Sequence, residues 1–245
     1  MLDGLKTAAT GMIAQQRRID ALSNDIANVN TTGYKRDRVA FNDLVATEPG
    51  LGGAQTVRVG AGVAVSAAGR GTGQGALLTT GQPLDVAIAG DGYLQVKTAD
   101  GRVALTRDGS LHADASGRLT TSSGALLQPP ITLPRGVSAK ELTINPDGTL
   151  VAEGKPIGRM ALVNVVAPSN LDDAGSGLYM TNAGSGPPRL AGTDTTLVQG
   201  ALESSNVDIG DAMVDLIDAQ RSFQMASQAV KTQDQMLSIA NGLKS

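Results

Sequence analysis

The stretch NDIANVNTTGYKR, residues 24–36, marks the end of a helix. Apolar residues stand at helical spacing up to Val29, and Asn and Thr then follow in a dense run. Asn28 tolerates the left-handed conformation, Thr31 disfavours continuation of a helix, and Gly33 supplies a residue with free φ. The pattern predicts a helix that stops at a defined point and passes into a segment of different structure.

Toward the N-terminus from this point, apolar residues recur at steps of four and three. A heptad sustained over about four repeats is typical of a helix that packs as a coiled coil. Gly4 and Gly11 weaken its first turns, because glycine lowers helix propensity. The positions are Met1, Leu5, Ala8, Met12, Gln15, Ile19, Leu22, Ile26 and Val29.

A second stripe with the same spacing occupies the C-terminal part of the chain. Asp208 is a predicted N-cap, Asp211 stands at the capping-box position, and Asn241-Gly242 is a stop signal. An amphipathic helix is stable only when its stripe is buried. The two helices are therefore expected to pair within one chain, or to pair and also pack against other copies. The stripe runs through Ile209, Met213, Leu216, Gln220, Phe223, Ser227, Val230, Asp234 and Leu237.

Between the helices the apolar pattern changes to period two, starting at Leu84 and punctuated by Asp-Gly and Ser-Gly pairs. Short, evenly spaced strands predict an antiparallel meander, a sandwich or a small barrel. Residues 47–80 are Gly-rich and indicate an extended arm with one or two β-pieces. The predicted fold class is α+β, mainly β, in which long terminal helices pack as a coiled coil and flank an all-β antiparallel domain.

The predicted organisation has four parts. An N-terminal amphipathic helix spans 1–34, an extended Gly-rich arm 35–80 and an all-β domain 81–202. A C-terminal helix spans 203–245 and pairs with the first.

Composition excludes most kinds of active site. The chain has no Cys and one His, so thiol chemistry, a His-based triad and a His-based metal site cannot be assembled. His112 is expected to be a solvated strand residue. The loop GRGTGQG, residues 69–75, lacks the Gly-Lys-Ser/Thr ending of a phosphate loop and indicates a flexible linker. We expect no cofactor, no metal and no small-molecule substrate.

The charged residues also predict no active site and no nucleic-acid site. Lys35, Arg36 and Arg38 lie beside acidic residues, which favours a solvated helix exit over a nucleic-acid site. The net charge of −3 also argues against nucleic acid. Asp172 and Asp173 stand in a run of small residues that indicates a turn. The N-terminus has no signal-peptide pattern, and no apolar run is long enough for a membrane span.

Long stretches of the sequence resemble the bacterial flagellar rod and hook proteins. They are LSNDIANVNTTGYKRDRVAFNDLV (22–45), LDVAIAGDGYLQV (84–96), TRDGSLHADASGRLTTSSG (106–124) and GALESSNVDIGDAMVDLIDAQRSFQMASQAVKTQDQML (200–237). The length fits a rod subunit, and GMIAQQRRIDALSNDIANVNTTGYKR is most similar to the distal rod type. The segment 46–58 is short and Gly-rich, whereas the distal type carries a longer insertion there. This difference leaves a proximal rod protein or a short hook-like subunit as alternatives.

The resemblance implies a structural subunit without enzymatic activity. Such proteins leave the cell through the flagellar export apparatus without a cleaved signal and polymerise into the axial drive shaft that links motor to hook. The implied partners are copies of the chain, neighbouring rod and hook subunits and the export apparatus, with no nucleic acid and no membrane span. The implied location is the flagellar basal body in the cell-envelope space. An alternative of another class is a secreted β-domain binding protein or enzyme with a coiled-coil stalk.

Two groups of residues follow as predicted functional sites. Asn24, Asn28, Thr31 and Gly33 would end the first helix and direct the chain outward into the β domain. Lys35 and Arg36 are expected to meet an acidic face of a neighbour, with Asp215 and Asp218 as its candidates. The predicted assembly interface comprises Leu5, Met12, Ile19, Leu22, Ile26, Val29, Ile209, Met213, Leu216, Phe223, Val230 and Leu237.

Overall fold

The computed structural model describes residues 2–49, 56–134, 136–192 and 194–242. The chain divides into two compact units, and neither is continuous in sequence. The helical unit comprises Met1–Ala27, Asp37–Ala68 and Asp208–Ser245, and the β unit comprises Asn28–Arg36 and Gly69–Val207. The short segment after the first helix therefore belongs to the β unit.

Two long helices stand at the ends of the chain. Helix α1 spans Leu2–Ala27 and helix α2 spans Ile209–Gly242. The run of Asn and Thr follows directly after the last turn of α1. The predicted N-cap of α2 is confirmed, because Asp208 Oδ1 accepts hydrogen bonds from the backbone N–H of Gly210 (2.8 Å) and Asp211 (3.1 Å).

The helices pack against each other in antiparallel orientation. Near one end Gly4 lies against Gln233, and farther along Arg18 Nη2 donates to Asp215 Oδ1 at 2.9 Å. Ala14 and Leu22 of α1 are buried, as are alanines of α2. The contact between the helices is thus built from small and aliphatic side chains.

A long hairpin completes the helical unit. Strand β1 spans Asp37–Pro49 and strand β2 spans Thr56–Arg70, and the two pair with each other. The hairpin is attached to α1, where the hydroxyl of Thr10 accepts a bond from Val63 N–H at 3.2 Å. The tip of the hairpin, residues 50–55, lies outside the described residues, and so does part of the Gly-rich segment 46–58.

The β unit contains sixteen short strands and two 3₁₀ turns, at Ala139–Glu141 and Pro168–Asn170, in its described residues. The strands are β3 Leu77–Thr79, β4 Val86–Ala89, β5 Tyr93–Lys97, β6 Val103–Thr106, β7 Leu111–Ala113, β8 Leu119–Thr121, β9 Leu126–Leu127, β10 Leu142–Ile144, β11 Thr149–Ala152, β12 Lys155–Arg159, β13 Leu162–Asn164, β14 Asp172–Gly175, β15 Leu178–Met180, β16 Arg189–Leu190, β17 Thr196–Gln199 and β18 Ala201–Glu203.

The strands of the β unit pair in antiparallel orientation throughout its described residues, as the sequence predicts. The largest sheet runs β14-β15-β6-β5-β9-β8-β7, with β13 also pairing with β5 and β16. Strands β10, β11 and β12 form a separate three-stranded sheet. The last two strands return to the first ones of the unit, because β17 pairs with β4 and β18 pairs with β3.

The core of the β unit is aliphatic, as expected for a chain with so few aromatic residues. Fifteen buried side chains form its main cluster, including Ile88, Leu94, Leu127 and Leu197. A smaller cluster surrounds Tyr93 and Tyr179, whose rings meet edge to face with centroids 6.0 Å apart. Alternating inward positions of short strands supply these residues, which is the period-two pattern seen in the sequence.

The prediction of a turn at Asp172 and Asp173 is wrong. Both residues lie in edge strand β14, paired with β15, and the turn follows at Ser176, whose φ is 54°. Asp173 accepts a bond from Arg70 Nη2 at 2.7 Å. Charged residues on an edge strand discourage pairing with further strands, which explains why acids occupy a strand here. The expectation for His112 is confirmed, since it lies exposed in β7.

Candidate functional site

The predicted interface residues of α1 lie on its inward side. Leu22 is buried, and Leu5, Met12, Ile19 and Ile26 are partly buried. Val29 lies beyond the end of the helix, in the β unit, and is also partly buried. The structure thus places this stripe within the molecule, and its role toward other copies stays a prediction.

The predicted interface residues of α2 divide into two groups. Leu216, Phe223 and Val230 are partly buried, whereas Ile209 and Met213 are 47% and 49% exposed. The side chain of Leu237 lies outside the described part of the chain. The side chains that α2 turns inward are Ala212, Leu216, Ala219, Phe223, Ala226 and Val230.

The inward face of α2 keeps the spacing of four and three but is shifted by one residue from the predicted stripe at two positions. Ala212 and Ala219 are buried, whereas the predicted Met213 and Gln220 are exposed, and Ala226 and Ser227 are both partly buried. Small side chains permit a close approach of two helices, whereas the sequence pattern favoured the larger Met213. Ala212 and Ala219 are both fully buried.

The outward side of α2 is unusually apolar. At 3.6 residues per turn, most of its large exposed side chains lie on the side of the helix away from Ala212 and Ala219, whereas Ile209 and Met213 lie on a flank. They are between 47% and 67% exposed, and Ile13 on α1 is 59% exposed. The exposed residues of α2 are Ile209, Met213, Val214, Ile217, Met225, Met236 and Ile239.

A shallow groove of about 540 Å³ lies between the two helices near the start of α1. Gly4 and Ala8 form one wall, and Met225, Ala229 and Met236 contribute to the other. The small residues on α1 leave room there for side chains from outside. An apolar groove and an apolar helix surface on one unit are the features of a protein that associates.

The segment after α1 leads to a buried cluster of charges. Lys35 Nζ lies 2.6 Å from Glu203 Oε1, and Arg107 Nη1 lies 2.9 Å from Glu203 Oε2. All three residues are at most 4% exposed. We call Lys35, Arg107 and Glu203 the Glu203 cluster.

Backbone groups complete the hydrogen bonding of this cluster. Lys35 Nζ donates to Gly73 O at 2.7 Å, and Arg107 Nη2 donates to Gly90 O at 2.9 Å. Glu203 Oε1 accepts a further bond from Gly75 N–H at 2.9 Å. Buried ion pairs persist only when their remaining donors and acceptors are satisfied, and here most of them are.

Burial changes proton affinity in and around the cluster. Desolvation lowers the pKa of Lys35 below its ordinary value, and the hydrogen bond to Glu203 opposes this change. Burial raises the pKa of Tyr93, whose ring lies 5.3 Å from the guanidinium carbon of Arg107. Burial also raises the pKa of Tyr179 to about 12, with Arg70 opposing the change.

Of the predicted helix-end residues, Gly33 contacts the rest of the β unit, and so does the neighbouring Thr32. Gly33 has φ of 67°, and its N–H donates to Glu203 O at 2.8 Å. Thr32 Oγ1 donates to Asp108 Oδ1 at 2.8 Å, and Thr31 Oγ1 donates to Asn28 Oδ1 at 3.1 Å. Asn24 is exposed in the last turns of α1. Residues 32–36 therefore form a buried or partly buried part of the β unit.

The prediction that Lys35 is a solvent-exposed residue after the end of the first helix is wrong. The residue is buried against Glu203, and Asp215, one candidate for its acidic partner, is bonded to Arg18. Arg36 is partly buried, and its backbone N–H donates to Asn206 Oδ1 at 2.7 Å. Lys35 and Glu203 are 168 positions apart in the chain, so no local pattern links them.

Sequence reasoning missed Arg107 and Glu203. One feature of the sequence could have indicated Glu203. It stands two positions after Ala201 in the same strand, β18, so it shares the inward face of that strand, and both residues are buried. The loop 69–75, predicted as a flexible linker, contributes Gly73 and Gly75 to the same cluster.

An apolar groove of about 550 Å³ in the β unit is lined by Met160, Leu162 and Leu190 together with Asp147 and Arg159. Its described lining residues include no Ser, Cys or His. Across the described residues there is no group of three His, Asp or Glu side chains placed to hold a metal ion.

Three family models match separate parts of the chain. The model described as "Flagella basal body rod protein" matches residues 5–35, and "Flagellar hook protein FlgE/F/G D1 domain" matches residues 87–152. "Flagellar basal body rod FlgEFG protein C-terminal" matches residues 198–243. The three residues of the Glu203 cluster come one from each matched region.

Full-length relatives decide the family. The chain is 38% identical to the flagellar basal-body rod protein FlgG of Borreliella burgdorferi, covering 100% of this chain and 99% of that protein. It is 36% identical to FlgG of Caulobacter vibrioides and 35% identical to FlgG of Bacillus subtilis, each time over 100% of both chains. The chain belongs to the flagellar basal-body rod protein family.

Membership confirms the expected structural role and the resemblance to the distal rod type, and it does not favour the alternatives. The three alignments span 264 positions, more than the 245 residues of this rod protein, so the chain lacks positions that its relatives have. A shorter segment 46–58 is consistent with that difference. Among the described helices of this rod protein, none has the length and apolar character needed to cross a membrane.

Proposed function

We propose that this rod protein polymerises through α1 and α2 into the distal part of the flagellar rod. It is a structural subunit of the drive shaft between motor and hook and carries out no catalysis. The observation that carries the proposal is the outward apolar side of α2, which nothing in the described part of the helical unit covers.

Exposed apolar residues of the helical unit lie at both ends of the helix pair, and Met225 and Met236 of α2 belong to the groove at one of these ends. Ile209, Met213 and Ile217 are exposed near the start of α2, and the groove between Gly4 and Met236 lies toward its other end. A contact between two different surfaces of successive copies is heterologous and produces an open helical assembly. The occupant of each surface is accordingly a second copy of this chain.

In the rod we expect the helices of neighbouring copies to pack as a coiled-coil tube. The inward face of α2 already has the spacing of four and three that such packing requires. Burying the exposed apolar side chains would add about 25 cal/mol for each Å² removed from water. Ordering of the helices is then coupled to polymerisation.

The proposed partners beyond copies of the chain are neighbouring rod and hook subunits and the flagellar export apparatus. The proposed location is the basal body in the cell-envelope space, reached without a cleaved signal peptide. The names of the FlgG relatives support the location in the basal body.

The test is the variant Ile217→Asp, examined by electron microscopy of basal bodies and by swimming in soft agar. A charge in the outward face should abolish the distal rod and motility, because the carboxylate would be desolvated on assembly. The variant protein should keep the helical content of the unmodified protein, since Ile217 is half exposed.

The matched control is Ile217→Leu at the same half-exposed position. It keeps an apolar side chain of equal size and adds no charge, so we expect complete rods and normal swimming. Complete rods in cells that carry only the Ile217→Asp protein would contradict the proposal.

An epitope tag at the exposed Asp100-Gly101 turn tests the position along the axis. Label just below the hook supports a distal subunit, and label near the export apparatus or on the hook contradicts it.

A further inference from the structure

We propose that Glu203 is a positioning residue that holds the two roots of the terminal helices side by side. The roots are the segment 28–36 after α1 and the segment 200–207 before α2. The inference rests on the proposed function, because it names the residue that prepares the helices for assembly. The residues that Glu203 holds together all lie in the β unit.

Few residues separate the cluster from the helices. Only 28–34 lie between α1 and Lys35, and only 204–208 lie between Glu203 and α2. The cluster therefore lies close in sequence to the end of α1 and to the start of α2.

The two roots are also joined by backbone bonds. Asn206 N–H donates to Tyr34 O at 3.2 Å, and Gly33 N–H donates to Glu203 O at 2.8 Å. Arg36 N–H donates to the side chain of Asn206 at 2.7 Å. These bonds run in both directions between the roots, so each root is fixed against the other.

Glu203 is the acceptor on which this arrangement depends. Its carboxylate receives Lys35 Nζ, Arg107 Nη1 and Gly75 N–H, and its carbonyl receives Gly33 N–H. A glutamine has one acceptor oxygen and no charge, so it cannot satisfy two buried cations and an amide together. The loss of the carboxylate should therefore loosen both roots at once.

The experiment measures amide hydrogen exchange in the full-length protein before assembly, with and without Glu203→Gln. We expect amides of residues 33–36, 75 and 203–206 to exchange about tenfold faster or more in the variant. Amides of β5 and β6 should be unchanged. The same variant should be stable in the cell and should fail to build a complete rod.

The matched control is Asp114→Asn, which removes another acid bonded to an arginine of the β unit, Arg118. It should change exchange only near its own turn. If Glu203→Gln also speeds exchange in β5 and β6, Glu203→Asp distinguishes loosened roots from unfolding of the whole sheet. Glu203→Asp keeps the negative charge and shortens the side chain by one methylene. That variant should loosen the roots and leave the sheet intact.

Two results would overturn the inference. One is unchanged exchange at the roots in both Glu203 variants. The other is loosened roots in cells that still assemble normal rods. Failure of the proposed function is a separate result, since it appears as normal assembly of the Ile217→Asp protein whatever the exchange rates are.

Discussion

Gly33 shows how one residue can be required for two physical reasons. Its φ of 67° lies in the left-handed region that other residues enter at a cost. A Cβ at this position would also lie 2.7 Å from the carbonyl carbon of Arg107 and 2.9 Å from the amide nitrogen of Asp108. The sequence indicated the first reason, because a glycine after Asn and Thr is typical of a helix end. The second reason depends on residues far away in the chain.

Replacement of Gly33 by alanine should separate the two reasons. We expect Gly33→Ala to destabilise the β unit by more than the roughly 1–2 kcal/mol that a left-handed non-glycine residue costs. The control is Gly124→Ala, since Gly124 has φ of 80° and no atom within 4 Å of an added Cβ. Urea unfolding of both variants gives the comparison. Equal losses of unfolding free energy would show that crowding against Arg107 and Asp108 is unimportant.

Helix α2 illustrates the limits of pattern reading at the level of one element. Its existence, its N-cap and its spacing of four and three followed from the sequence. Its inward face did not, because hydrophobicity favours Met213 while close helix packing favours Ala212. The partner helix decides whether Met213 or Ala212 packs against it. The buried residues of α1 at this contact include Ala14 and Leu22.

A substitution at Ala219 tests the assigned inward face. Ala219 is fully buried, so Ala219→Leu should cost about 1–3 kcal/mol through overpacking and should disturb the helix pair. Ala229 on the same helix is exposed, and Ala229→Leu should change stability by less than about 0.5 kcal/mol. Far-UV circular dichroism during urea unfolding measures both. A larger loss of unfolding free energy in Ala229→Leu than in Ala219→Leu would contradict the assignment of Ala219 to the inward face of α2.

At the level of the whole molecule, contacts between neighbouring strands could be predicted from the sequence, whereas contacts between distant strands could not. The β hairpins with Asp-Gly turns, such as the one between β5 and β6, were predictable because their strands are adjacent in sequence. The pairing of Leu197 with Ile88 was not, since these residues lie in β17 and β4. The Glu203 cluster was missed for the same reason. Periodicity reports which face of an element is apolar, and it does not report which distant element covers that face.

Truncation tests how much the β unit depends on its last strands. A chain that ends at residue 195 lacks β17 and β18 and leaves the edges of β4 and β3 uncovered. We expect it to lack a folded β unit, because it also loses Leu197 from the core and Glu203 from the cluster. A chain that ends at residue 207 keeps both strands and should fold that unit. Amide chemical-shift dispersion distinguishes them, and dispersed spectra of the shorter chain would contradict this expectation.

The late place of Glu203 in the chain has a consequence for the timing of folding. A polypeptide that leaves the ribosome N-terminus first presents Lys35 and Arg107 long before their shared carboxylate has been made. Until then, closing the β unit would bury two cations without a counter-ion, which is strongly unfavourable. The position of Glu203 thus delays closure of the β unit until most of the chain has been synthesised.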